Sequence, residues 1–178
     1  FTLANTNKML RKYDGMIGLK TGYISEAGFC ISAAAERDGL TLIAVVMAAP
    51  DKDTRTADAS QLLNYGFANY AAYTPDLSAA CGDLPVVLGK ADSVGVMCDD
   101  PGSMTVQKDQ VSGLTVSYDR PESLDAPVTK GEQIGTAKVI DSNGAVVREV
   151  ALRAAEDVEK QSFLDVLGAL CRAASWGG

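Results

Sequence analysis

Residues 17–48 read IGLKTGYISEAGFCISAAAERDGLTLIAVVMA. Two mostly apolar runs, Gly28 to Ala35 and Leu40 to Ala48, flank the polar Glu36-Arg37-Asp38-Gly39, and that spacing predicts a β-hairpin. A shorter strand is expected before it, from Ile17 to Ile24. The second run lacks polar alternation, so it reads as a strand buried on both faces, in the middle of a sheet covered on each side. After Pro50, Asp51 fits a helix N-cap, and Lys52 to Tyr73 carries Ala57, Leu62, Leu63, Phe67 and Tyr70 at spacings near three and four. An amphipathic helix is expected there, ending at Thr74-Pro75 because proline disfavours helical geometry in the residue before it. Residues 1–74 therefore read as an α+β piece of antiparallel strands plus a helix. Its apolar sheet needs more cover than it contains. We expect the rest of that domain upstream, in keeping with a start at Phe1-Thr2-Leu3-Ala4 that shows no initiator Met, basic leader or long apolar run.

From 75 to 156 the texture changes to short β-rich runs punctuated by Gly and Pro: Val86–Leu88, Val94–Cys98, Leu114–Tyr118, Gln133–Ile140 and Val146–Leu152. Such a series predicts a small all-β sandwich or barrel. Asp141-Ser142-Asn143-Gly144 is the strongest turn signal, and the strands on either side of it should pair. Residues 157–178 form a tail. Within it Phe163, Val166, Leu167, Leu170 and Ala174 recur at helical spacing, with Leu164, Cys171 and Trp176 nearby. The apolar face of that helix either packs on the domain or meets a membrane surface. Lys160 and Arg172 are its only cations, fewer than an interfacial helix usually carries.

The 178 residues hold 16 Lys plus Arg against 23 Asp plus Glu, a net charge of −7, and no histidine. An acidic chain with scattered cations is a poor nucleic-acid binder, so that class of partner is set aside. Without histidine, neither a Ser-His-Asp triad nor a His-ligated zinc site can be built, and acid–base work falls to Lys, Glu, Asp or Tyr. The cysteines, Cys30, Cys81, Cys98 and Cys171, contain no C-x-x-C pair and read first as small buried hydrophobes. A Cys81–Cys98 disulfide is compatible with an oxidising compartment. Asp99-Asp100 and the acidic run at 156–159 lack the ligand spacing of a calcium loop. No metal and no cofactor are assigned.

The sharpest local feature is Lys20-Thr21-Gly22 on the first expected strand. Around it stand Asn5-Thr6-Asn7-Lys8, Tyr13-Asp14-Gly15, Gly18-Leu19-Lys20-Thr21-Gly22-Tyr23, Glu26-Ala27-Gly28-Phe29-Cys30, Leu42 to Met47, and Leu62-Leu63-Asn64-Tyr65-Gly66-Phe67. In this order they closely resemble the serine-type D-alanyl-D-alanine carboxypeptidases, the low-molecular-mass penicillin-binding proteins. The resemblance is strong over residues 1–70, and looser for the β-rich piece and the tail. It implies a partial penicillin-binding/β-lactamase-like domain followed by that family's second domain. K-T-G is the third of the family's motifs, beside S-x-x-K and S-x-N. Neither of those occurs here, since no Ser has Lys three positions on or Asn two positions on.

The resemblance implies an enzyme whose Ser attacks the D-Ala-D-Ala bond of a peptidoglycan stem peptide, forms an acyl-enzyme and releases the terminal D-Ala, and which β-lactams acylate. It also implies an extracytoplasmic place, in the cell envelope at the outer face of the cytoplasmic membrane. By the same resemblance Lys20 orders the active-site hydrogen bonds, Thr21 binds the substrate carboxylate, and the backbone N–H of Tyr23 forms half of an oxyanion hole. Gly22 leaves room for substrate against the backbone, and Arg55 helps to hold the carboxylate. An ammonium and a hydroxyl on an edge strand suit a substrate that ends in a carboxylate, and an extended peptide can add to that edge. Ile17 and Ile24 depart from the family's usual acidic and polar residues at those places. The missing nucleophile also motivates a second expectation, a non-catalytic module that positions a partner at the cell wall.

Overall fold

In the computed structural model, residues 5–168 are described. The chain divides into two compact units. One holds the chain through Tyr73 together with Ser103–Ser112, and the other holds Thr74–Gly102 and the chain from Gly113 onward.

In the first unit, β1 (Met16–Ile24), β2 (Gly28–Arg37) and β3 (Leu40–Ala49) form an antiparallel sheet in the order β1-β2-β3. The expected hairpin is present, with Arg37 paired to Leu40 across its turn. The expectation of a central, doubly covered β3 is not met: β2 is the middle strand, and among the described residues β3 pairs with β2 alone. Helix α1 (Lys52–Asn69) covers one face of the sheet. On that face Ile31, Ala33, Ala35, Ala44, Ala59 and Leu63 form the core together with Met9. On the other face Ile43, Val45 and Met47 are 63%, 59% and 75% exposed. The run is uniformly apolar, as the sequence suggests, but among the described residues nothing buries its outer half.

Asp51 caps α1 as expected, its side chain accepting hydrogen bonds from the N–H groups of Asp53 and Thr54 at 2.8 and 2.7 Å. The buried stripe runs Arg55, Ala59, Leu63, one turn apart at each step, whereas Leu62 is exposed. Gly66 lies on the same side, where a Cβ would be 2.5 Å from Cδ1 of Leu42 and the leucine side chain would have to shift. The helix ends at Asn69, four residues earlier than the sequence predicts. Tyr70–Tyr73 turns extended as β4 and pairs with β7 (Met104–Gln107). The partner strand lies more than thirty residues downstream, so helical spacing read locally through Tyr70 could not reveal it. The same pairing draws Ser103–Ser112, expected with the β-rich piece, into the first unit.

In the second unit a six-stranded sheet has the order β8-β10-β11-β6-β5-β9. Its strands are β5 (Gly82–Val87), β6 (Ser93–Cys98), β8 (Thr115–Asp119), β9 (Leu124–Asp125), β10 (Gln133–Ile140) and β11 (Val146–Ala154). The sequence predicts a small all-β sandwich or barrel, and the strands join into this one hydrogen-bonded sheet because β11 bridges from β10 to β6. Leu84, Val94, Val96, Val150 and Leu152 fill its core with Leu77, Val128 and Val158. The turn at 141–144 behaves as expected: Gly144 adopts φ +83°, and β10 and β11 pair on either side of it. Residues 163–168 are helical, while Leu170, Cys171, Arg172, Ala174 and Trp176 of the expected tail helix lie outside the described residues.

The two faces of β3 should respond differently to substitution. Leu63→Ala, in the core under β3, is expected to lower unfolding stability by about 2–5 kcal/mol, whereas Val45→Thr should change it by less than about 0.5 kcal/mol. Urea midpoints measured on this chain check both.

Candidate functional site

Strand β1 lies at the edge of its sheet and, among the described residues, pairs only with β2. Its outer edge therefore offers backbone N–H and C=O groups to an incoming extended chain. The register sets Thr21 opposite Ile31 and Lys20 opposite Ser32. Because side chains alternate along a strand, Thr21 shares the face packed by α1 and Lys20 takes the other.

Along this edge runs a cavity of about 580 Å³, bordered by Lys20, Thr21, Gly22 and Tyr23 of β1, by Asn5, Thr6 and Lys8, and by Lys52, Asp53, Arg55 and Thr56 of α1. All five residues singled out from the sequence thus meet at one place. Thr21, only 9% exposed, shares a 2.8 Å hydrogen bond with the hydroxyl of Thr6. Lys20 Nζ donates to the carbonyl of Thr21 at 2.6 Å. The Tyr23 ring packs on Phe29 with centroids 4.3 Å apart, stiffening the end of the strand. A Cβ on Gly22 would meet nothing within 4 Å. The fold does not need glycine there, and the space beside it is open.

Arg55 differs from an ordinary surface arginine in the first turn of a helix. It is 8% exposed, Nη1 donates to the Cys30 carbonyl at 3.3 Å, and the Nε donor has no partner. Leaving a buried donor unpaired costs on the order of 1–3 kcal/mol. The residue also borders the cavity, so its positive charge faces any anion held there. Lys8, Lys20, Lys52 and Arg55 set four cations against the single acid Asp53, in a chain whose net charge is −7. That imbalance favours an anionic ligand. Among the described residues, no three His, Cys, Asp or Glu side chains converge as a metal ion would require.

Sequence reasoning assigned no role to Thr6, Lys8, Lys52 or Thr56. Thr6 and Lys8 stand in a quoted motif, but their approach to β1 is a long-range contact, and Lys52 reads as the ordinary solvated start of a helix.

The cationic cavity lies beside an edge strand bearing Lys-Thr-Gly, the third motif of the family that the sequence resembles. Comparison with known proteins bears on the family. Residues 1–51 match the model of the D-alanyl-D-alanine carboxypeptidase family, and residues 78–160 match that of the penicillin-binding protein 5 C-terminal domain. D-alanyl-D-alanine carboxypeptidase DacF of Bacillus subtilis is 29% identical over 169 residues, covering 94% of this chain and 43% of the relative. The D-alanyl-D-alanine carboxypeptidase of Streptomyces sp. K15 is 46% identical over 67 residues, 38% of this chain and 23% of the relative. Penicillin-binding protein 5 of Haemophilus influenzae superposes with a TM-score of 0.60 at 26% identity, over 85% of this chain and 45% of that one. The two matched segments together place the chain among the low-molecular-mass penicillin-binding proteins. Within that class its relatives are D-alanyl-D-alanine carboxypeptidases, and the chain corresponds to their C-terminal portion, spanning less than half of the DacF relative's length.

The capping of α1 makes the site's framework sensitive to acid. Hydrogen bonds from the Thr54 N–H and hydroxyl hold the Asp51 carboxyl below its usual value near 3.8. A depressed carboxylate contributes stability that is present above its usual value and lost as pH falls through the lower, folded one. Amide exchange at Asp53 and Thr54 should therefore quicken at acid pH, relative to that of Leu63. Asp51→Ala should show the faster exchange already at neutral pH.

Proposed function

We propose that the chain is the K-T-G-bearing part of a serine-type D-Ala-D-Ala carboxypeptidase that removes the terminal D-Ala from peptidoglycan stem peptides through an acyl-enzyme. The observation that carries this reading is the meeting of Thr21, Lys20 and the almost wholly buried Arg55 on one cationic cavity at a strand edge. A stem peptide lying along β1 takes main-chain hydrogen bonds from the free edge, with Gly22 giving it room. Its terminal carboxylate is held by the Thr21 hydroxyl and Arg55. Lys20 supplies a positive charge beside the reacting carbonyl. The Tyr23 N–H is one of the two donors to the oxyanion that forms when serine attacks. β-Lactams, which also carry a carboxylate, occupy the same wall and acylate the serine.

The serine and its base belong to S-x-x-K and S-x-N motifs that this chain does not contain, so on this reading the chain alone is inactive. A longer protein supplies them, and its remaining strands and helices cover the exposed Ile43, Val45 and Met47. A stand-alone positioning module is not favoured, because the match to the carboxypeptidase model covers Lys20 to Tyr23. The setting is extracytoplasmic, at the outer face of the cytoplasmic membrane. Among the described residues no helix is long and apolar enough to cross a membrane. Contact of the tail with a membrane surface also belongs to the proposal: Phe163 and Leu164 are 79% and 74% exposed.

Intact mass after penicillin treatment tests the assignment. A longer protein carrying both serine motifs should gain one penicilloyl adduct, and this chain none. In that longer protein Lys20→Ala and Thr21→Ala should each slow acylation by about 10²–10³-fold, and unchanged rates would overturn the roles of both residues. Gly22→Ala should leave the thermal midpoint within about 2 °C of the parent while slowing acylation at least about tenfold, since the added methyl meets only the ligand.

A further inference from the structure

The second unit contains a pair of thiols that the carboxypeptidase reading does not use. Cys81 follows the turn Ser78–Ala80 and donates its N–H to the Ser78 carbonyl at 3.2 Å. Cys98 ends β6, where it is held on one side by pairing with Leu152 of β11. The β5–β6 register pairs Gly82 with Val96, which places Cys81 level with Met97, one residue from Cys98. The Cys98 Sγ also lies 3.7 Å from the carbonyl of Leu77, in the same turn that carries Cys81. Cys81 is thereby a close neighbour of Cys98 and bears on its thiol, and both residues are partly exposed. Beside them stands Arg120, whose charge acts on Cys98 and whose buried Nη1 has no partner.

We propose that Cys81 and Cys98 are a built disulfide site, closed by exchange with a disulfide oxidant. The step balances as two thiols and one oxidant disulfide giving one protein disulfide and two oxidant thiols. Cys81 attacks the oxidant, one oxidant sulfur leaves, and a mixed disulfide forms. Cys98 then attacks the sulfur of Cys81 and expels the second oxidant sulfur, and the two protons pass to the leaving thiolates. Burial and the neighbouring Cys81 push the Cys98 thiol up to about 12, so it keeps its proton at neutral pH and is the second thiol to react. The positive charge of Arg120 opposes that rise and favours the thiolate as the proton leaves. The closed bond ties the turn after Leu77 to the middle of the sheet and encloses β5 in a loop. In an oxidising compartment this loop constrains the unfolded chain. The inference stands on the second unit alone and is independent of the catalytic reading.

The test uses the whole chain, reduced and then treated with excess oxidised glutathione, followed by acid denaturation, maleimide alkylation, intact mass and peptide mapping. The expected product has lost about 2 Da relative to the reduced chain, resists alkylation at two thiols and yields a linked peptide pair containing Cys81 and Cys98. Its thermal midpoint should rise by about 5–10 °C and fall back on reduction. The Cys30→Ser/Cys171→Ser double variant should keep that rise, and Cys98→Ser should lose it. Stable glutathione adducts on Cys81 or Cys98, a link mapped to Cys30 or Cys171, or four freely alkylated thiols would each overturn the proposal. These readouts come from the unsubstituted chain, so they hold even where a variant folds poorly.

Discussion

The register of β1 on β2 is the constraint on which the candidate site rests. With Thr21 opposite Ile31, the threonine falls on the face packed by α1, where Arg55 lies, and the lysine beside it falls on the opposite face. A slip of β1 by one residue against β2, whose Ile31 and Ala33 are fixed in the core, would exchange the two. The same hydrophobic contacts that hold the sheet against the helix therefore hold the chemistry in place. Arg37 reinforces that frame. Its guanidinium lies 4.7 Å from the ring centres of both Tyr13 and Phe67 and donates to the Asp14 carbonyl, tying the segment before β1 to the end of α1.

A second constraint is electrostatic. The protein is acidic overall, yet the cavity gathers Lys8, Lys20, Lys52 and Arg55, and Arg55 is almost wholly buried with a donor left over. Such an arrangement is unfavourable for the empty protein and favourable once an anion arrives. The helix start adds to this, since the partial positive charge of its free N–H groups lies on the same side. Asp51 satisfies two of those groups, which stiffens the turn that carries Arg55.

Local patterns account for the hairpin, the cap at Asp51, the Asn-Gly turn and most of the strands of the second unit. Each depends on residues close together in sequence, whose backbone preferences point the same way as the final fold. The departures all involve distant partners. Tyr70–Tyr73 is extended because β7 is there to pair with it, and among the described residues β3 sits at the edge of its sheet although its composition suits a centre. The second unit closes as one sheet because β11 reaches β6 across more than fifty residues of chain. Hydrophobic periodicity records which residues want burial, and it is silent about which element will bury them.

The class of this protein is legible in short stretches of chain: Lys20-Thr21-Gly22 in its ordered surroundings, the absence of histidine, and the lack of a serine motif that could supply a nucleophile. The same stretches mark Lys20, Thr21, Gly22, Tyr23 and Arg55 as the residues to watch. Folding was needed to bring Thr6, Lys8 and Lys52 beside them around one cavity, to bury Arg55 with an unpaired nitrogen, and to set Cys81 against Cys98. The reason is physical. Motif and period are properties of neighbours along the chain, whereas desolvation, charge concentration and thiol contact depend on side chains that meet only after strands far apart in sequence have paired.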